Sequence, residues 1–400
     1  MKFLCVKCKG RRPFLCRRDF CPLMQKMNAQ KRINLEAKQE FFGGSPNVFV
    51  GQYGYPDVNV GILANENVGS EHDNPLLWSK DNYSINQIIG LRTSLINSKF
   101  QANIRSFNQR LLEMSQEIGM AEKPVDVEVK LDKKPNFKLT YFQEVTPHGP
   151  SVKLVSSRIT SNPKVPMKIN QAVSDTDLKA NSALTALHND GFDEHYLAKL
   201  LSVGNLGIKK QRKLVPTRWS ITATDDALGK DLIERIRFHN QTDFQAYFGG
   251  HLGNYYIIMF FPGPWTYELF ETAITSQECT TDYEDHRGRK TYANETAGGY
   301  YAARLGILEK LKGIKRCGTV LALRFVTDEY WAPLGVWVCR EAVRKAMQSK
   351  PVIFSDKEYM LKYAKALISK KLGYDISGLL AKSKLLHSIK QQRTLSMYKE

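Results

Sequence analysis

Four of the seven cysteines of this chain fall within its first 21 residues: Cys5, Cys8, Cys16 and Cys21. The spacing is C-x2-C, seven residues, then C-x4-C, with Gly10 and Pro13 supplying turn chemistry between the pairs. Tetrahedral zinc takes four soft ligands, and a C-x2-C turn lets two thiolates grip one ion from one side. A segment this short has no core of its own, so a structural zinc ion would supply its folding energy. Two disulfides are the alternative, which an intracellular compartment disfavours. An iron–sulfur centre would use the same thiolates, and colour on purification distinguishes it from zinc.

Basic side chains surround these cysteines: Lys7, Lys9, Arg11, Arg12, Arg17 and Arg18, interleaved with Phe14 and Phe20. Cations beside aromatics suit phosphate contact and base stacking, although the two rings could equally cover a metal site. The charge of the whole chain has the same bias. Of its +18, residues 1–33 carry +9 and residues 340–400 carry +9, while residues 34–339 are neutral with 34 charges of each sign. A surplus confined to two ends reads as two contacts for a polyanion, and nucleic acid is the expected one.

A hydrophobic content of 42% excludes wholesale disorder. The longest apolar run, Tyr255 to Phe261, has the length of a strand and falls far short of the roughly 20 residues of a membrane span. Lys7, Lys9, Arg11 and Arg12 leave no apolar signal segment at the N-terminus. The expectation is a soluble intracellular protein.

The pattern of elements predicts an α+β body of two subdomains. Residues 22–40 read as a helix, broken by Gly43, Gly44 and Pro46. Val48–Val50 and Val58–Leu63 read as strands joined by Gln52-Tyr53-Gly54-Tyr55-Pro56. Residues 84–118 carry apolar residues at helical spacing, among them Ile96, Ile104, Leu111 and Leu112. Val125–Leu131, Lys138–Phe142 and Val152–Val155 alternate as strands. Ser174–Leu187 and Glu194–Leu201 read as helices, the first with Ser174 and Asp177 in capping-box positions. After a basic stretch ending at Pro216, Asp225–His239 reads as a helix with an acidic or threonine cap. Tyr255–Phe261 and Thr319–Val326 are strands by their β-branched and aromatic content. Gly299–Leu311, Val336–Met347, a capped helix from Ser355-Asp356-Lys357-Glu358 to Gly373, and Ile376–Ile389 complete the reading. The expected division is a cysteine module at 1–30, domains at 31–212 and 213–389, and a flexible tail at 390–400.

Two clusters could carry phosphodiester chemistry. Arg218, Asp225 and Asp226 could pair a phosphate contact with a divalent metal. Asp282, Glu284, Asp285 and His286, beside Arg287, Arg289 and Lys290, could supply metal ligands and a base. Capping acids and a solvated charged loop are the competing readings, and the two clusters would have to converge in space.

The tail holds Q-x-x-L-x-x-Y: Gln392, Leu395 and Tyr398, with Met397 between them. One tight helical turn would set Leu395 and Tyr398 side by side as a two-pronged apolar plug. This resembles the short peptide by which replication and repair proteins dock on the sliding clamp PCNA. Lys399 stands where a second aromatic is usual.

Cysteine cluster and tail peptide occur together with three longer strings: Ser45–Pro56, Pro216–Asp225 and Thr296–Leu305. With these, the chain resembles the archaeal Nre DNA repair family along essentially its whole length. The resemblance implies a role in DNA damage repair, an archaeal cytoplasmic protein associated with the nucleoid, a zinc-finger-like N-terminus, clamp binding through the tail, and an N-terminal and a C-terminal family domain. A metal-dependent nuclease or nucleotide-modifying enzyme, and an RNA-binding zinc protein, are the alternative functions.

Overall fold

A computed structural model describes residues 21, 38–107, 109–136 and 148–391. They divide into two compact units: the residues up to Leu228 with Trp331–Gly335, and Gly229–Tyr330 with Val336 onward. The expected boundary at 212/213 lies in the extended stretch between a 3-10 turn, Lys209–Gln211, and the helix that opens at Thr217. Of the expected helix at 22–40 only residues 38–40 are described, and these are not helical, Glu40 opening a strand; the expected strand at 138–142 lies outside the described residues.

The first unit is built on a closed barrel. Its strands are β1 (Glu40–Val50), β2 (Asp57–Asn65), β3 (Ile96–Asn103), β4 (Val125–Leu131) and β5 (Ser151–Ile159), in the order β1-β2-β3-β5-β4. All neighbours are antiparallel except β3 and β5, which run parallel. Helices α1 (Pro75–Lys80) and α2 (Ile85–Ser94) interrupt the β2–β3 connection, and α3 (Arg110–Met120) joins β3 to β4. This order, with a helix between the third and fourth strands, is that of the oligonucleotide- and oligosaccharide-binding barrel. Alternation builds it: Val125, Val127, Val129 and Leu131 point inward while Asp126 and Lys130 face solvent. The interior is closed by Val48, Val60, Ile62, Phe100, Leu112 and Ile118.

Three expectations in this unit give way. Gly43, Gly44 and Pro46 do not break the chain, because they lie within β1, where the register shifts between Gly44 and Asn47. A Cβ at Gly43 would sit 1.9 Å from the Asn65 carbonyl oxygen, so the close strand crossing requires glycine there. The helix expected over 84–118 is α2, β3 and α3 in succession. Ile96, Phe100 and Ile104 are spaced by four, a spacing shared by helix and strand, and the inward residues Ile96, Ser98, Phe100 and Ala102 show the period of two. The helix at Ser174–Leu187 is split into α4 (Met167–Ser174) and α5 (Ala180–Asn189), since the Asp175 carboxylate accepts from the Asp177 and Leu178 amides and turns the chain.

Helix α6 (Glu194–Ser202) carries His195 against Asp73. The His195 Nε2 lies 3.0 Å from the Asp73 carbonyl oxygen and 3.6 Å from its carboxylate, which also accepts from the Asn47 amide. Burial alone would raise the Asp73 carboxyl, but His195, Arg92 and Asn47 hold it well below the carboxylate range. Burial would lower the His195 imidazole, and the Asp73 hydrogen bond and charge outweigh that, leaving it above its ordinary 6.5. A raised histidine stabilises the fold fully below 6.5 and loses that contribution as pH rises through its folded value; a depressed carboxylate loses its own as pH falls below 3.8. The stability gap between wild type and His195→Gln is therefore expected to be wider at about pH 5.5 than at about pH 8.5 in thermal melts. An equal gap at both would remove His195 as the titrating group.

The second unit is a six-stranded sheet in the order β10-β9-β12-β8-β7-β13. It comprises β7 (Phe244–His251), β8 (Asn254–Phe261), β9 (Thr266–Ala273), β10 (Cys279–Glu284), β12 (Thr319–Val326) and β13 (Val352–Phe354), with a two-stranded parallel pair, β6 (Asn240–Gln241) and β11 (Arg316–Cys317). Only β9 and β12 pair in parallel within the large sheet. Its helices are α8 (Ala297–Gly313), α9 (Trp337–Gln348), α10 (Lys357–Leu372), α11 (Ser377–Lys382) and α12 (Lys384–Gln391). Ile257, Met259, Leu321 and Leu323 pack on one face with Met360, Ala364, Ile368 and Leu385.

The Asp356 side chain, one residue after the expected Ser355, caps α10 by accepting from the Tyr359 amide at 3.0 Å. The last helix is broken at Ser383, because the buried Glu268 carboxylate on β9 accepts from the Ser383 hydroxyl and from the Lys384 and Leu385 amides at 3.0 and 3.1 Å. A carboxylate at a helix start satisfies amides that have no partner inside the helix. No helix among the described residues is long and apolar enough to cross a membrane.

Candidate functional site

Helix α7 (Thr217–Ile236) opens eight residues earlier than expected. The Pro216 carbonyl already accepts from the Trp219 and Ser220 amides, which starts the helix there. Asp225 is therefore no cap: it lies mid-helix and is 1% exposed. Arg218 is exposed on the first turn and Asp226 is half-buried on the third.

In the second unit, Asp282 is fully engaged. Its carboxylate accepts from the Glu295 and Thr296 amides, from the Thr296 hydroxyl at 2.9 Å, and pairs with Arg289 at 2.7 Å. It ties the β10–α8 loop to the sheet. Asp285 accepts from the Arg287 amide and guanidinium, which hold its carboxyl below the usual range, and His286 stands exposed on the same turn. Arg218, Asp225 and Asp226 thus belong to one unit, and Asp282, Asp285 and His286 to the other. Among the described residues no three His, Cys, Asp or Glu side chains come together as a metal site.

The polar centre that does form takes Glu284 out of the second expected cluster and joins it to residues that the sequence did not place beside it. Glu284 accepts from the Trp265 indole at 2.8 Å and from Arg304 at 2.9 Å, and both charged side chains are essentially inaccessible. The Arg304 guanidinium lies over the Tyr300 and Tyr301 rings, and Tyr300 packs on Tyr267 with centroids 4.9 Å apart. Farther along the sheet Arg324 binds Glu271 and the Asn254 side chain. Burial raises the Tyr267 and Tyr300 hydroxyls far above 10, so they stay protonated. Buried inside the unit, this layer orders the sheet. An open cavity of about 530 Å³ lies elsewhere, lined by the stacked Phe248 and Tyr255 rings, Ile274, Thr275, Glu329 and Lys371, and holds none of the expected site residues.

The first unit presents a different surface at the β1–β2 turn. Gly54 adopts φ +85, and its carbonyl accepts from the Asp57 amide, closing a short loop that leaves Tyr53 82% exposed and Tyr55 43% exposed. The Thr217 hydroxyl accepts from the Val50 amide at 2.9 Å, and the Leu214 amide donates to the Ile104 carbonyl. These bonds fix the start of α7 against the same end of the barrel. Trp219, 45% exposed, then lies 5.4 Å from Tyr55, centroid to centroid. On the adjoining outer face, Phe49 on β1 registers with Gly61 on β2, Gly61 with Lys99 on β3, and Lys99 with Lys153 on β5. The sequence places Tyr53 and Tyr55 in a loop, but Tyr55 and Trp219 meet only because these tertiary bonds hold the start of α7 against the barrel.

Of the expected zinc ligands only Cys21 is among the described residues, with a half-buried free thiol. Cys5, Cys8, Cys16, the basic residues Lys7 to Arg18, and the tail residues Gln392, Leu395, Met397 and Tyr398 lie outside them.

Residues 15–277 match the family model described as archaeal Nre, N-terminal, and residues 284–398 the model described as archaeal Nre, C-terminal. A protein of Archaeoglobus fulgidus named DNA repair protein NreA is 38% identical over 88% of this chain and 90% of its own length. Its Haloferax volcanii namesake is 36% identical over 77% of this chain and 78% of its own. DNA repair protein NreB of Archaeoglobus fulgidus is 34% identical over 98% of both chains. No solved structure matches. With both models matched and identity above one third over most of its length, the chain belongs to the archaeal Nre family.

Proposed function

We propose that this chain is a DNA repair factor that binds DNA through its basic ends and is held at its place of work by the sliding clamp PCNA. The observation that carries the reading is family membership along the chain, with relatives named as DNA repair proteins. The +9 at each end supports a phosphate contact. A structural zinc ion on Cys5, Cys8, Cys16 and Cys21 would hold Lys7, Lys9, Arg11, Arg12, Arg17 and Arg18 in one small module. Gln392, Leu395, Met397 and Tyr398 form the clamp peptide, directly after α12, whose start Glu268 anchors. An archaeal cytoplasmic protein at the nucleoid fits this reading.

Fluorescence anisotropy of the full chain on labelled DNA tests it. Affinity is expected to fall steeply with salt, as counterion release requires. Metal analysis should return one zinc per chain, and Cys8→Ser should lose the metal and weaken DNA binding by about tenfold. Absence of DNA binding at low salt, or a preference for RNA, would overturn the reading in favour of the RNA-binding alternative.

A further inference from the structure

We propose that the outer face of the barrel, from Lys99 and Lys153 across Phe49 to the rim of Tyr53, Tyr55 and Trp219, binds single-stranded DNA. The choice of DNA rests on the repair reading above; the choice of a single strand rests on the surface itself.

Three aromatic rings are gathered at one end of the barrel with much of their surface in water. Folding gains little from rings left exposed, and a gathered apolar patch of this kind marks an interaction site. Tyr55 and Trp219 use part of their surface on one another and keep the rest open. Phe49, 43% exposed on the outer face near the end of β1, adds a fourth open ring. Open ring faces suit unstacked bases, which a duplex offers only at its ends.

Charge complements the rings. Lys99 and Lys153 are direct neighbours on β3 and β5, and neither makes an ion pair among the described residues. Two ammonium groups side by side repel. The outward positions of β2 from Asn59 to Leu63 and those facing them on β3, Asn97, Lys99 and Gln101, hold no acid; the outward acid of β2, Asp57 at the rim, accepts from the Asn103 side-chain amide at 2.8 Å. The other side of the barrel is built differently: Lys130 pairs with Glu40 and Arg158 with Glu128. The barrel thus neutralises its basic side chains on one side and leaves two adjacent ones available to phosphate on the other. Arg218, exposed beside Trp219, extends the basic line to the rim. This gives Arg218 a phosphate contact in place of a catalytic role.

The test is anisotropy of the full chain with a labelled oligo-dT of about 15 nucleotides, beside oligo-rU of equal length and a duplex. Tyr53→Ala/Tyr55→Ala is expected to weaken oligo-dT binding by about 10- to 100-fold and duplex binding far less. Lys99→Gln/Lys153→Gln should flatten the slope of log K against log salt by about 1.4, two phosphates at about 0.7 each. Trp219 emission should be quenched by oligo-dT, and Trp219→Phe should remove that quenching. All these side chains are at the surface, and unchanged thermal melts would confirm folding. Oligo-dT binding that is the same in both double variants would overturn the proposal, placing the contact in the basic ends. Tighter binding of oligo-rU would overturn the assignment to DNA. Duplex binding without oligo-dT binding would overturn this proposal alone, whereas binding of no DNA would overturn the repair reading with it.

Discussion

Glu284→Leu is expected to lower the unfolding midpoint of the second unit by roughly 10 °C in calorimetry. The carboxylate is inaccessible, and it receives both the Trp265 indole N–H and the Arg304 guanidinium. Removing one member of a buried ion pair costs about 3–5 kcal/mol, because the remaining charge keeps its desolvation cost without that compensation. In a unit of this size each kcal/mol shifts the midpoint by about 2–4 °C. Glu284→Gln retains an acceptor for the indole and loses the charge, so its shift should fall between wild type and Glu284→Leu. If Glu284→Leu melted within about 1 °C of wild type, the pair would contribute no net stability. The link to function is architectural. Glu284 ends β10, pairs with Tyr267 in register, and fixes α8 through Arg304. The neighbouring β9 residue Glu268, on the opposite face of the sheet, anchors α12, which the proposed clamp peptide follows in sequence.

Local patterns carried well into the structure. The alternation of Val125–Leu131 became β4, and the apolar Tyr255–Phe261 became the central strand β8. The helices Gly299–Leu311 and Val336–Met347 are α8 and α9. Misreadings arose where one local signal serves two structures. The spacing Ile96, Phe100, Ile104 fits a helix face and the inward side of β3, and only pairing with β2 and β5 decides between them. Asp225 and Asp226 look like a helix start, yet Pro216 had already begun α7. The barrel could not be read locally at all. It closes through the parallel pairing of β3 with β5, which sets Lys99 beside Lys153 across more than fifty residues. The aromatic rim was illegible for the same reason: Tyr55 and Trp219 are brought together by tertiary bonds such as that from the Val50 amide to Thr217. The acidic clusters allowed a catalytic reading beside those of capping acids and a solvated loop. In the fold, Asp282 is spent on the α8 loop and Asp285 on its own turn.

The tail carries the largest expected effect on function. Leu395 and Tyr398 are the two apolar anchors of the proposed peptide, and truncating anchors of this kind costs about 2 kcal/mol or more each. Leu395→Ala/Tyr398→Ala is therefore expected to weaken clamp binding by at least about 100-fold. A clamp threaded on DNA also makes the contact of the basic ends with that DNA intramolecular, and such linkage raises avidity by about 10²–10⁴ without any new contact. The two effects meet in one measurement: the affinity of the full chain for primed circular DNA, with and without loaded sliding clamp. Clamp-tethered repair requires the loaded clamp to tighten binding by about 100-fold, and Leu395→Ala/Tyr398→Ala to abolish that gain while leaving binding to bare DNA unchanged. Equal affinity with and without the clamp, or a gain that survives the double substitution, would contradict it.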